Sequence, residues 1–452
     1  MWGFVANHHE KTRESRDPII YRESLRARLW DDFARFDSLF CYAVFMVLRV
    51  FLIWAILGAA LSADAIQGAS PLAQPAAVRM EVRDNRVFIP LTVSGPQGTP
   101  VVATFWVDSG GDSLILSGQL AHQLRLRVSD QSSAGMNYTT LRPATKPKLL
   151  IAGMPIDLTH VNVFAAGGVA DRNAFPGVDA AGFLPATVLM KYGVIFDYPK
   201  RVFMLAQPGT LPHVGTPVKL EVNRKTGFAR VEVEVGQQTF GLMLDTGAAY
   251  SGISRVAMDA MIREHPVWQH SVGAVGAANM VGKDFDVSNE LLRIPEVRWG
   301  RFTLRNVGMV SRPAGVYEET VSGDMSKPII GVLAGNVLRH FRIDLDYAAG
   351  LAYLQSDGTD NFADLTCVGI IVHVDPNGGV VVGGVSQRDG RPQVMGVNPG
   401  DMLLRVDGHK VTGASLALLL RYLSGAVGEK RRLTLRRGTK DISVNTFVSR
   451  HP

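Results

Sequence analysis

Two triplets hold the side chains best suited to chemistry in this 452-residue chain: Asp108-Ser109-Gly110 and Asp245-Thr246-Gly247. One such triplet is an ordinary turn signal. Two of them, each ending an apolar strand, can bring two carboxyls face to face. Like charges at that range cannot both ionise, so such a pair holds one proton between its members. The ionised member then acts as a general base on water, and the protonated member hydrogen-bonds the carbonyl oxygen under attack. The hydroxyls of Ser109 and Thr246 can reach the partner loop, and Gly110 and Gly247 let a second backbone come close. This chemistry calls for no metal and no cofactor.

The elements that must hold these triplets are legible as strands. Residues 87–93 alternate apolar and polar, turn at Ser94-Gly95-Pro96-Gln97-Gly98, and lead through Ala103-Thr104-Phe105-Trp106-Val107 into Asp108. Residues 229–235 alternate likewise, turn at Gly236-Gln237-Gln238, and lead through Phe240-Gly241-Leu242-Met243-Leu244 into Asp245. The aspartates stand 137 positions apart (245 − 108). After each comes a short apolar strand (114–116 and 251–253) and an expected helix, over 117–126 and 254–264. Farther on, Gly182-Phe183-Leu184 before Phe196-Asp197-Tyr198 matches Gly331-Val332-Leu333 before Leu345-Asp346-Tyr347. Both features are displaced by 149 (331 − 182 and 346 − 197). Ordered repetition of this kind predicts a duplicated unit.

At these residues the chain resembles aspartic peptidases, a group known for the splitting of two neighbouring carboxyls. The triplets look like the family's catalytic turns, and Ile329-Ile330-Gly331 resembles its hydrophobic-hydrophobic-Gly element. Gly111 and Ala248 are closer to the retropepsin-like branch than to pepsin. Asp112 matches a substrate-backbone-binding aspartate of retropepsins, where the second copy has Ala249. Ala180-Ala181-Gly182 departs from the bulkier pattern, and Tyr138 is the candidate for a flap tip. The resemblance covers roughly 80–355 and implies a mainly β fold, with two duplicated retropepsin-like β-barrel lobes around one cleft. It also implies catalytic Asp108 and Asp245, supported by Ser109, Gly110, Thr246 and Gly247.

Other chemistries lack their residues. The 11 histidines form no His-x-x-x-His pair. There is no Gly-x-Ser-x-Gly elbow, and Gly282-Lys283 is followed by Asp284 with no earlier Gly at Walker spacing. Net charge is +6, but it is scattered apart from Lys430 to Arg437 and Lys440, a run that reads as a solvated strand face. No nucleic-acid partner is expected. Cys41 and Cys367 are the two cysteines, and Cys367 reads as a packed residue.

From Leu39 to Leu61 the chain is apolar except for Arg49. In a membrane-spanning helix Arg49 would cost about 2.5–3.5 kcal/mol. Read from Met46, the stretch has the plan of a signal peptide: Arg49, an apolar core from Val50 to Leu61, then small Ala63 and Ala65. Residues 1–45 carry seven basic and seven acidic side chains and read as an extension before the true start. The expectation is an exported chain beginning near Ile66, periplasmic or secreted. The alternative keeps 39–61 as a membrane anchor.

Beyond Ser356-Asp357-Gly358 a third pattern begins. Strands are expected over 366–374 and 379–385, around the turn Asp375-Pro376-Asn377-Gly378. Then come Pro399-Gly400-Asp401, a strand, an Asp407-Gly408 hairpin, a helix from Ser415 to Leu423, and strands over 431–437 and 441–448. This order resembles a bacterial PDZ domain (α+β) and implies a peptide ligand that adds as a strand. Gly378, Gly379 and Val380 are its expected carboxylate-capturing residues.

The resulting division is an extension (1–45), a leader or anchor (46–65), two peptidase lobes (78–208 and 209–356) and a PDZ-like unit (360–452). The expected activity is endopeptidase cleavage of polypeptides. The alternative is a non-catalytic peptide-binding protein that keeps the fold.

Overall fold

The computed structural model describes residues 75–134, 140–167, 175, 179–279, 287–375 and 378–452. The leader, its extension, the anchor alternative at 39–61, the Ile66 start and the flap candidate Tyr138 lie outside the described residues. Among the described residues no helix is long and apolar enough to cross a membrane. The chain is mainly β, with barrel-like sheets.

The first ten-stranded sheet contains strand Arg86–Ser94, whose Val87, Ile89, Leu91 and Val93 alternate into the core. It pairs antiparallel with Val101–Asp108, placing Phe88 opposite Trp106. On its other side the Asp108 strand pairs parallel with Gly182–Pro185, placing Pro185 opposite Asp108. The second ten-stranded sheet repeats this arrangement. Ala229–Val235 pairs with Gln238–Asp245, and Arg230 lies opposite Met243. The Asp245 strand runs parallel to Gly331–Ala334, with Ala334 opposite Asp245. Each aspartate thus ends a strand buried between two neighbours, which fixes its backbone. The helices are Gly118–Gln123 and Arg255–Glu264, capped by the hydroxyls of Ser117 and Ser254. The first is shorter than the expected 117–126 because Arg125 turns to φ 53°.

A six-stranded sheet joins the halves. Its centre pairs Gly193–Asp197 with Phe341–Asp346, so Ile195 lies opposite Asp344. Tyr198 and Tyr347, which close the matched sequence features, are both fully buried. Buried Asp197 and Asp344 share Arg342, at 3.3 and 2.9 Å, which compensates charge taken out of water. One apolar core runs through all three sheets, with Phe105, Phe196, Phe203, Trp299 and Phe341 among its largest members.

The C-terminal sheet runs in the order Ile370–Val374, Val380–Val385, Met402–Val406, Lys430–Arg437, Lys440–Phe447. Helix Leu416–Leu423 closes its separate core. Leu433 and Leu435 of the basic strand point into that core while its ends are exposed. The expected strand 366–374 is broken: Thr366–Cys367 pairs with Ser449–Arg450 instead.

Two expectations about this region are corrected. Gly379 donates its amide to Asp375 Oδ1 at 2.8 Å, and Gly378 donates to the Asp375 carbonyl at 3.0 Å. Val380 pairs with both Val374 and Leu403, so its strand is interior. These amides are already used, and the edge strand is Ile370–Val374. Secondly, the polar stretch 356–360 is no free joint. Asp360 and Phe362 bind the backbone of Arg305, and Gln387 pairs with Val272 to extend the second sheet. Leu365, Cys367 and Ile371 share an apolar cluster with Tyr250, Val275, Leu291 and Val310. Buried Arg293 crosses this seam to Asp364 Oδ1 at 3.3 Å and to the His451 carbonyl at 2.6 Å. Asn279 also crosses it, donating to the Val372 carbonyl of the edge strand at 2.9 Å.

Candidate active site

The two triplets meet. Ser109 and Thr246 are each 2% exposed and grip one another reciprocally. Ser109 Oγ accepts the Thr246 amide at 2.9 Å and donates to the Leu244 carbonyl at 2.8 Å. Thr246 Oγ1 accepts the Ser109 amide at 3.2 Å and donates to the Val107 carbonyl at 2.8 Å. Each hydroxyl both donates and accepts, so neither buried oxygen is left unmet.

This grip sets the aspartates side by side, with their carboxyl groups within hydrogen-bonding reach of one another. The glycines make the room. A Cβ on Gly110 would stand 2.7 Å from Asp245 Cγ, and one on Gly247 would collide with Asp108 Oδ1. Burial raises the Asp108 carboxyl to about 8, reinforced by the charge of Asp245. Burial also raises Asp245, but the amides of Ala248 and Gly247 hold it back. The pair is therefore suited to carrying one proton near neutral pH.

Its surroundings are unequal. Asp245 Oδ1 accepts two amides, Gly247 at 2.8 Å and Ala248 at 3.0 Å. Asp108 Oδ1 accepts Gly110 at 3.0 Å, whereas the Gly111 amide turns to the Asp108 backbone carbonyl. Asn85 and Arg86 join the site without belonging to either triplet. Asp84 and Asn85 form a tight turn with φ 47° and 65°, a hairpin geometry that Asp and Asn tolerate, and Arg86 follows it. Asn85 Nδ2 donates to the Ala249 carbonyl at 2.9 Å, and Arg86 Nε donates to the Gly247 carbonyl at 3.1 Å. The Asp-Asn pair before an apolar strand was the available signal for the turn, though not for its target.

Asp112 is exposed and outside the hydrogen-bonded set of the pair. Its carboxylate accepts Ser113 Oγ at 2.8 Å, and its carbonyl accepts Thr187 Oγ1 at 2.7 Å. Ala249 in the second half is buried. Ile329 is buried beside Met243 and Val332, next to the second aspartate strand. Among the described residues no group of His, Cys, Asp and Glu is arranged to hold a metal ion. Cys367 is buried, and burial pushes its thiol up to about 12, which makes it a poor nucleophile.

No family model matches this chain, and no curated protein sequence matches it.

Proposed function

We propose that the chain is an aspartic endopeptidase, with two retropepsin-like lobes at 78–208 and 209–356 and a PDZ-like unit at 360–452. The observation that carries this reading is the reciprocal grip of Ser109 and Thr246, which holds two half-buried carboxyls within hydrogen-bonding reach. A pair of this kind has one task suited to it. The ionised carboxylate takes a proton from water as the water oxygen bonds to a peptide carbonyl carbon. The protonated carboxyl donates to the carbonyl oxygen, giving a neutral tetrahedral diol. When the C–N bond breaks, the amine nitrogen takes the one proton the pair holds, a diol hydroxyl gives its proton back as it becomes the carbonyl of the product acid, and the carboxyls return to sharing one.

The substrate is a polypeptide, and the exposed Asp112 is the residue assigned in this reading to meet substrate backbone. In the C-terminal unit an extended peptide would add to the edge Ile370–Val374. The chain works outside the cytoplasm, released by cleavage near Ala65 or held by 39–61.

The test is cleavage of an unfolded protein and of a fluorogenic peptide pool between pH 3 and pH 8. Asp108→Asn and Asp245→Asn should each abolish turnover with folding intact, and the double variant should be no worse, because the pair acts as one unit. Turnover unchanged in either variant would remove the pair from the mechanism. A folded wild-type chain that cleaves nothing would favour the peptide-binding alternative.

A further inference from the structure

Arg86 precedes the strand core of the first half, yet its bond goes to the second half. Its Nε meets the carbonyl of Gly247, the third residue of the second triplet, 161 positions away. Its guanidinium lies 5.2 Å from the ring centroid of Trp106, two residues before Asp108. The side chain therefore spans from the strand of one aspartate to the turn of the other. Asn85 braces the same turn at Ala249 and is itself held by Arg339 Nη1 at 2.8 Å.

In the second half the register counterpart of Arg86 is no cation. Phe88 opposite Trp106 and Arg230 opposite Met243 are register counterparts, so the residues two places earlier, Arg86 and Phe228, are counterparts too. Phe228 is buried against Ala186, Met243 and Tyr317. The carbonyl of Gly247 thus meets a guanidinium, whereas the counterpart position carries an apolar ring. The amide distribution leans the same way, two to Asp245 Oδ1 and one to Asp108 Oδ1.

We infer that Arg86 is a positioning residue of the aspartate pair: it clamps the Asp245 turn from the opposite half, keeps Asp245 as the ionised base, and leaves the shared proton on Asp108. In that assignment Asp245 takes the proton from water, and Asp108 donates to the carbonyl oxygen. The fields of Asp108 and Asp245 both act on Arg86, in line with this placement. The other titratable and charged groups around the set are Asp84 beside Arg86, Arg83 and Arg421 near Asp84, Arg339 on Asn85, Tyr198 and Tyr317 facing Asp245, and Arg312 and Glu318 beside Tyr317. Burial holds both tyrosines above their ordinary range, so they stay neutral where the pair titrates.

The inference rests on the peptidase reading for its mechanism but not for its test. Full-length wild type, Arg86→Gln and Arg86→Lys are compared by the carbon-13 shifts of labelled aspartate carboxyls across pH, with Asp108→Asn and Asp245→Asn as assignment controls. In wild type the Asp245 signal should ionise first. Losing the cation in Arg86→Gln should move both ionisations up by about one pH unit. Both limbs of the kcat/KM profile should follow, and the maximum should fall by about 10²-fold. Arg86→Lys, which keeps charge and a donor, should restore the limbs. Limbs and carboxyl signals that stay put in a folded Arg86→Gln chain, with only a lowered melting temperature, would reduce Arg86 to a structural brace. Asp108 ionising first would overturn the proton assignment. A wild type without peptidase activity would overturn the peptidase reading alone, since the carboxyl signals would still report on Arg86.

Discussion

Gly110 faces the carboxyl of Asp245 so closely that a Cβ at position 110 would lie 2.7 Å from Asp245 Cγ and Oδ2. The second triplet answers with Gly247 against Asp108. The absence of a side chain at these two positions is what lets one carboxyl approach the other. Gly110→Ala and Gly247→Ala should each force the carboxyls apart and lower kcat/KM by about 10²-fold or more. Gly323→Ala, with nothing near its added methyl group, is the control. Activity within twofold of wild type in either triplet variant would show that the gap is not needed.

The grip predicts a stability cost that depends on both bonds of each hydroxyl. Ser109→Ala removes the acceptor of the Thr246 amide and the donor to the Leu244 carbonyl, all buried. The cost should be about 2–3 kcal/mol in chemical denaturation. Thr246→Ala should cost a similar amount, whereas Thr246→Ser keeps the oxygen and should recover most of it. A large asymmetry between Ser109→Ala and Thr246→Ala would contradict the reciprocal geometry.

The pH dependence of stability follows from the raised Asp108 carboxyl. Its value moves from 3.8 in the free side chain to about 8 in the fold, mainly through burial. A group that binds its proton more tightly when folded stabilises fully below its unfolded value and loses that contribution as pH rises through the folded one. The melting temperature should therefore decline between about pH 4 and pH 8. Asp108→Asn should flatten that decline, read by calorimetry at a series of pH values. An unchanged slope in the variant would assign the decline to other groups.

Deletion of residues 360–452 should destabilise the remainder, although the polar stretch after Ser356 reads as a joint. Removal uncovers Leu291 and Val310 and strips buried Arg293 of Asp364 and the His451 carbonyl. An orphaned buried charge costs about 3–5 kcal/mol. The truncated chain should lose cooperative melting, and turnover of short peptides should fall with it. A truncated chain that melts like the full one would show the seam to be dispensable.

Asn279 holds the Val372 carbonyl on the edge strand of the C-terminal sheet, where that strand meets the seam. An added peptide strand must compete with that bond. Asn279→Ala should tighten binding of a peptide with a free apolar C-terminus by about two- to tenfold, the worth of one hydrogen bond. Titration calorimetry reads this directly. Tighter binding by Val381 variants with no effect at Asn279 would move the site elsewhere.

Much of this site was written into local sequence. Strand alternation placed Val87 to Val93 and Val231 to Val235 in the core, because side chains on a strand take opposite faces in turn. The matched displacement of Asp197 and Asp346 and the two triplets point to partnered turns from sequence alone. Ser117 and Ser254 cap their helices by chemistry that acts within three residues. What only the tertiary structure decided lies where partners are far apart in the chain. Nothing near Arg86 names the Gly247 carbonyl as its acceptor, and nothing near Arg293 names the His451 carbonyl. The strand Val380–Val385 reads much like an edge, and only its pairing on both sides shows it to be interior. Periodicity records which face of an element is buried. Which distant carbonyl a buried cation meets, and which strand stays open, depend on how finished elements pack, and that information is spread over the whole chain.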